Sequence, residues 1–206
     1  LIKNPSSPKL INNTYLFNLL AGKKAKDDKQ YRASFIYLSK AIYVINSSEF
    51  IEKPADYPDS LIEFADIAYL CHDDSTLTDI LKLSQNCQLS NNQYVKLQII
   101  KIKTLVDHND YSEALSLGNY CLNLLGVKIP KYISPSLLFL EYHKSKIMLN
   151  RLSDQDWKTI VKKTDSEKSL QIDLLLLLSF AVFPNNSKLF SFLIFKGLKL
   201  IIGGTY

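Results

Sequence analysis

Apolar residues recur at three- and four-residue spacing along most of the chain, and short polar breaks separate the runs. This is the pattern of amphipathic helices joined by turns. Asn13 and Thr14 are good capping residues, and Tyr15, Leu16, Leu19, Leu20 and Ala25 then predict a first helix. After a polar break at Lys26 to Gln30, a second run carries Tyr31, Phe35, Leu38, Ala41, Ile42 and Ile45. Pro54 and Pro58 mark a longer loop, and a third helix is predicted from about Ser60 through Leu61, Phe64, Ala65, Ala68 and Tyr69.

The third helix stops at His72-Asp73-Asp74-Ser75, and Leu77, Ile80, Leu81 and Leu83 make a fourth. A break at Leu89 to Asn92 leads into a fifth with Tyr94, Leu97, Ile100 and Leu105. The turn His108-Asn109-Asp110 opens a sixth, through Ala114, Leu117, Cys121 and Leu125, which stops at Gly126 ahead of Pro130. Pro135 begins a seventh with Leu137, Leu138, Leu140, Tyr142 and Ile147, and Trp157 to Val161 reads as a short eighth. Two apolar runs, Leu174 to Phe183 and Leu189 to Ile202, complete the array. Neither reaches the ~20 apolar residues of a bilayer span, and Lys196 and Lys199 interrupt the second, so both predict buried helices and no membrane span.

Internal repetition follows the same order. Asn109-Asp110-Tyr111 precedes Ala114, Gly118 and Cys121, so small residues stand three and ten positions after an aromatic. Tyr31, Ser34 and Ala41 repeat that spacing, with Gly22 and Ala25 small in the helix before them. Asp73-Asp74-Ser75 with Thr78 is a degenerate third copy, Ser75 taking the aromatic's place, which separates the key positions by 44 and 36 residues. The unit resembles the tetratricopeptide repeat, whose period is ~34 residues. The resemblance implies an all-α fold: a tetratricopeptide-like α-solenoid of stacked antiparallel helix pairs. Gly22, Ala25, Tyr31, Ser34, Ala41, Tyr111, Ala114, Gly118 and Cys121 would be its packing positions. Residues 1–12, with Pro5 and Pro8, read as a tail or linker, and 13–206 as the repeat domain, an internal slice of a longer array. Leu1 in place of an initiator Met fits that expectation.

Two longer strings narrow the resemblance. They are Leu19 to Ala25 with Tyr31 and Tyr37 to Ile42, and Ala114-Leu115 running to Leu124-Leu125-Gly126-Val127-Lys128-Ile129-Pro130. Both are similar to the helical region that follows the AAA-type ATPase module in large signalling proteins that also carry serine/threonine kinase and histidine-kinase or cyclase modules. The resemblance implies a segment between an ATPase and an output module that relays a signal through protein contacts. It places no catalytic residue on this chain.

Composition changes this picture little. The hydrophobic fraction is 47%, enough for a core, and only six glycines and seven prolines occur, which favours helices over strands and hairpins. The net charge of +5 is spread along the chain, and the Lys23, Lys24, Lys26 and Lys158, Lys162, Lys163 groups read as solvated helix faces, so no nucleic-acid partner is expected. Three widely spaced cysteines, Cys71, Cys87 and Cys121, fit reduced thiols, and no secretory signal pattern is visible; the expected location is cytoplasmic.

Candidate chemistry is sparse. His72, His108 and His143 lack a second ligand at helical spacing, and the adjacent Cys71-His72 side chains diverge, so no metal site is expected. Asp73-Asp74 and Asp107 with Asp110 stand at helix starts, where carboxylates cap free amides. No Gly-x-x-x-x-Gly-Lys-Ser/Thr loop occurs. Catalytic residues, cofactors and metals are therefore all expected to be none, and the chain is not expected to be an enzyme. The expected partners are proteins: flanking domains, or a peptide in a groove. Tyr15, Tyr37, Tyr69 and Tyr111 are expected in the core. The apolar Leu189 to Ile202 segment is expected to drive self-association of the isolated chain. A free-standing peptide-binding repeat and a helical enzyme are the rival readings.

Overall fold

The computed structural model describes residues 8–47, 52–153, 166–183 and 185–203. The chain is all-α: among the described residues there are nine helices and no strand. They are α1 (Pro8–Asp27), α2 (Tyr31–Asn46), α3 (Tyr57–Leu70), α4 (Asp74–Gln85), α5 (Asn91–Asp107), α6 (Tyr111–Leu124), α7 (Pro135–Asn150), α8 (Ser166–Val182) and α9 (Ser187–Ile202). The helix expected at Trp157 to Val161 lies outside the described residues, as do residues 1–7 of the expected tail. The chain divides into two compact units, Leu1–Ile100 and Lys101–Tyr206, and the division falls within α5.

In the first unit, α1 starts five residues earlier than its periodicity suggested. Its first described residue is Pro8. Ile11 then joins Tyr15, Leu19, Gly22 and Ala25 on one buried stripe. Thr14 is consequently no cap: it lies inside the helix and donates from Oγ1 to Leu10 O at 2.8 Å. The expected tail of residues 1–12 is thus helical from Pro8 onward. Likewise α3 begins at Tyr57, with Pro58 in its first turn, and the Tyr57 ring is buried while its hydroxyl donates to Asn46 Oδ1 at 2.9 Å. At the start of α5, Ser90 and Gln93 cap each other, Gln93 Oε1 accepting from Ser90 N at 3.1 Å and Ser90 Oγ from Gln93 N at 3.3 Å.

The same turn joins three pairs of consecutive helices. Lys29, His72 and Asn109 each take a left-handed conformation, with φ of 59°, 56° and 62°. In each turn the next residue's N–H reaches back five positions: Gln30 to Ala25 O at 2.8 Å, Asp73 to Ala68 O at 2.9 Å, Asp110 to Leu105 O at 2.8 Å. This closes the first helix in a Schellman motif, and the donor residue at once becomes the N-cap of the second helix. Asp73 caps Thr76 N and Asp110 caps Glu113 N. The left-handed residues are 43 and 37 apart.

That geometry shifts the register of the degenerate copy by one residue. The position matching Tyr31 and Tyr111 is Asp74, not Ser75, because all three begin their helices. Three residues on stand Ser34, Leu77 and Ala114; ten residues on stand Ala41, Ser84 and Cys121; nine residues back stand Gly22, Ala65 and Ile102. All nine are buried. Thr78, placed in the repeat by the sequence spacing, is exposed.

α1 packs along α2, α2 on α3, and α3 on α4. In the second unit α6 packs on α8, α8 on α9, and α9 on α7. The two C-terminal apolar runs are the helices α8 and α9, and no described helix is long and apolar enough to cross a membrane.

Candidate functional site

The expected packing residues divide by size. Gly22, Ala25, Ser34, Ala41, Ala114, Gly118 and Cys121 are all buried. A Cβ on Gly22 would lie 2.7 Å from Leu38 Cγ and Cδ2, so only glycine lets α1 and α2 approach this closely. A Cβ on Gly118 would overlap the Leu178 methyls in the same way where α6 meets α8. The aromatics do not share that role. Tyr31 is exposed and Tyr111 half-buried, its hydroxyl donating to Asn109 Oδ1 at 2.7 Å. Of the four tyrosines expected in the core, Tyr15 is fully buried, Tyr69 and Tyr111 are half-buried, and Tyr37 is exposed. Tyr37 stands at the edge of the buried face of α2, beside Ala41 and Val44, with its ring exposed, and Ile36 is on the opposite side.

Charge holds the first unit together at one point. Lys26 of α1 lies 2.7 Å from both Glu63 and Asp66 of α3. Burial works against its charge, but the hydrogen bonds to Asp66 and Glu63 outweigh that, and the Lys26 pKa is raised. Tyr15 donates to Asp56 Oδ1 at 3.2 Å, and burial pushes its phenol up to about 12.

The unexpected element is α7. Its two buried residues are polar, Leu137, Leu138, Met148 and Leu149 are half-buried, and other apolar residues are exposed. Glu141 and Ser145, one turn apart, face α9, where Glu141 pairs with Lys199 and Ser145 Oγ donates to Phe195 O at 3.4 Å. The Glu141–Lys199 contact is one of charge with charge, since Glu141 Oε2 accepts no aligned hydrogen bond. The outward side carries Phe139, Leu140, Tyr142 and Ile147, Phe139 at 65% exposure. At 100° per residue, Phe139, Leu140, His143 and Ile147 form one stripe, with Lys144 along one border and Lys146 along the other. The Phe139 and His143 rings meet edge-on at 4.1 Å, and Lys146 Nζ stands 5.9 Å from the Tyr142 ring centre.

The charge balance of this region is one-sided. From Ala114 to Ser153 the sequence holds Lys128, Lys131, Lys144, Lys146 and Arg151, and its one carboxylate is Glu141. Because Glu141 is buried against Lys199, the surface of this stretch is purely basic, and all five cations are exposed. Beside it, a groove of about 400 Å³ is lined by Asn119, Asn123, Ile129 to Ile133, Asn186, Lys188 and Leu189. Among the described residues no acidic side chain lines it.

Self-association was expected through Leu189 to Ile202. In the structure α9 buries Phe192, Leu193, Gly197 and Ile202, and its other apolar residues are half-buried. Among the described residues, the exposed apolar side chains of this unit stand on α7, on α8 (Leu176 and Phe180), and at Tyr120, Tyr132 and Phe183.

The residues weighed for chemistry have structural places. His72 supplies a left-handed turn, and Asp73 and Asp110 cap helices. The Asp73 carboxyl is lowered by hydrogen bonds from the Thr76 amide and the Ser75 hydroxyl. Burial pushes the Cys121 thiol up to about 11 and raises Cys71, the opposite of an activated thiolate. Among the described residues no three His, Cys, Asp or Glu side chains group as metal ligands. No family model, curated protein or solved structure matches the chain.

Proposed function

We propose that the chain is a non-catalytic helical repeat scaffold, a stack of helix pairs of the tetratricopeptide kind. It would mediate protein contacts within a multidomain signal-transduction ATPase or kinase, in the cytoplasm. One observation carries the scaffold reading: the same three-residue turn recurs at Lys29, His72 and Asn109, with buried residues at the same offsets on both sides. A helix pair that repeats its turn and its crossing buries its apolar faces by stacking on the next pair. The link to signalling ATPases rests on the strings Leu19 to Ile42 and Ala114 to Pro130, which resemble the helical region of such proteins.

A second reading, a free-standing peptide-binding adaptor, draws support from the groove at Asn119, Asn123, Lys131 and Lys188. The size of the native polypeptide separates the two. An immunoblot of source-cell lysate, with an antibody raised to this chain, should show a band several times larger than 23.5 kDa. A band at that mass would sink the signalling reading in favour of the adaptor.

A further inference from the structure

We infer that the outward face of α7 is a docking surface for an acidic amphipathic helix of a partner protein, an inference that rests on the scaffold reading. Three observations converge. First, α7 is apolar on both sides: Glu141 and Ser145 face α9 on the side that also carries the half-buried Leu137, Leu138, Met148 and Leu149, and Phe139, Leu140 and Ile147 are left outside. Second, the exposed stripe is bordered on both sides by a lysine, Lys144 on one flank and Lys146 on the other. An apolar seam between like charges is what one helix presents to another whose seam is flanked by the opposite charge. Third, the one carboxylate of residues 114–153, Glu141, is withdrawn into the Glu141–Lys199 pair. Lys128, Lys131 and Arg151 extend the positive field at either end of the helix, so the partner must bring the acid.

The apolar seam decides among anionic partners. Nucleic acid is bound chiefly through its phosphates and would leave Phe139, Leu140 and Ile147 without a matching surface. A helix with leucines at i, i+3, i+4 and i+7 covers that stripe and sets its flanking glutamates against Lys144 and Lys146. The burial of Glu141 therefore acts on recognition, because a glutamate turned outward here would face the partner's own carboxylates.

The test uses the full chain and a fluorescent synthetic peptide of about 16 residues, with leucines on one helical face and glutamates flanking it. A scrambled peptide of the same composition, a DNA duplex and phosphatidylserine vesicles serve as competitors. The designed peptide should bind with an affinity that falls as salt rises, and Lys131→Glu/Lys144→Glu/Lys146→Glu should weaken it at least about tenfold. Leu140→Ser/Ile147→Ser should also weaken it, and helical circular dichroism reports whether each variant stays folded. Equal binding of the scrambled peptide, an unchanged affinity in the charge-reversed chain, or preferential capture by DNA or vesicles would each overturn the inference. None of these results alters the native size of the polypeptide, which tests the scaffold reading separately.

Discussion

The hydroxyl of Ser34 donates a 2.8 Å hydrogen bond to the carbonyl oxygen of Gly22, across the buried crossing of α1 and α2. Ser34 is small enough to sit at the crossing, and its hydroxyl finds its partner on the neighbouring backbone. Gly22 meanwhile leaves room for Leu38. Gly22→Ala should therefore cost about 1–3 kcal/mol through overpacking. Urea denaturation measures this, and much of the loss should vanish in a Leu38→Ala background. Gly118→Ala should behave in the same way against Leu178, whose side chain is fully buried and has nowhere to move. Neutral effects at both glycines would show that the crossings tolerate greater separation.

The three left-handed turn residues make a graded set. A residue with a Cβ pays about 1–2 kcal/mol in this conformation, and Asn less than Lys or His. Lys29→Gly and His72→Gly should each stabilise the chain by about 0.5–1 kcal/mol, after the greater freedom of glycine in the unfolded chain is offset. Asn109→Gly should change it least. Thermal melts of the three variants check the order, and a uniform loss of stability would contradict the shared turn geometry.

Glu141 and Lys199 form a pair in which neither partner is readily spared. Lys199→Met leaves a buried carboxylate uncompensated and should cost about 3 kcal/mol. Glu141→Leu/Lys199→Leu removes both charges and should fall within about 1 kcal/mol of the original stability. A double-mutant cycle by urea denaturation gives the coupling. Additive effects would mean the two charges are solvated separately.

Lys26 predicts an alkaline limit. Its folded pKa lies above its unfolded value, so its contribution is fully present below the unfolded pKa of 10.5 and is lost as pH rises through the folded pKa. The urea midpoint should fall over that alkaline range, and Lys26→Met should flatten the fall while lowering stability at neutral pH. A slope that survives Lys26→Met would assign the alkaline loss to other groups, such as the buried Tyr15 phenol, whose ionisation near pH 12 also opposes folding.

Much of the fold was legible in the sequence. Helix identities followed from the three- and four-residue spacing, and the stop at Gly126 from a glycine that indeed takes a left-handed φ of 76°. The small crossing residues were legible too, because a short side chain at a fixed offset from a turn leaves a signature. Helix starts were less so: Pro8 and Pro58 read as loop punctuation, yet both lie in helices, Pro58 in the first turn of α3. The register of the degenerate repeat escaped as well, since His72 carries no glycine-like mark of its left-handed conformation.

The candidate docking face shows where sequence alone stops. The excess of cations between Ala114 and Ser153 can be counted without a structure. Counting does not reveal that Glu141 is withdrawn to Lys199, some sixty positions away, or that α7 leaves Phe139, Leu140 and Ile147 outward. Periodicity determined that this protein is built of helices and where small residues let them cross, because helical spacing and side-chain size are local properties of the chain. Which face of α7 is buried was decided by tertiary structure alone, because the helix is apolar on both sides and only its packing on α9, with Lys199 opposite Glu141, distinguishes them.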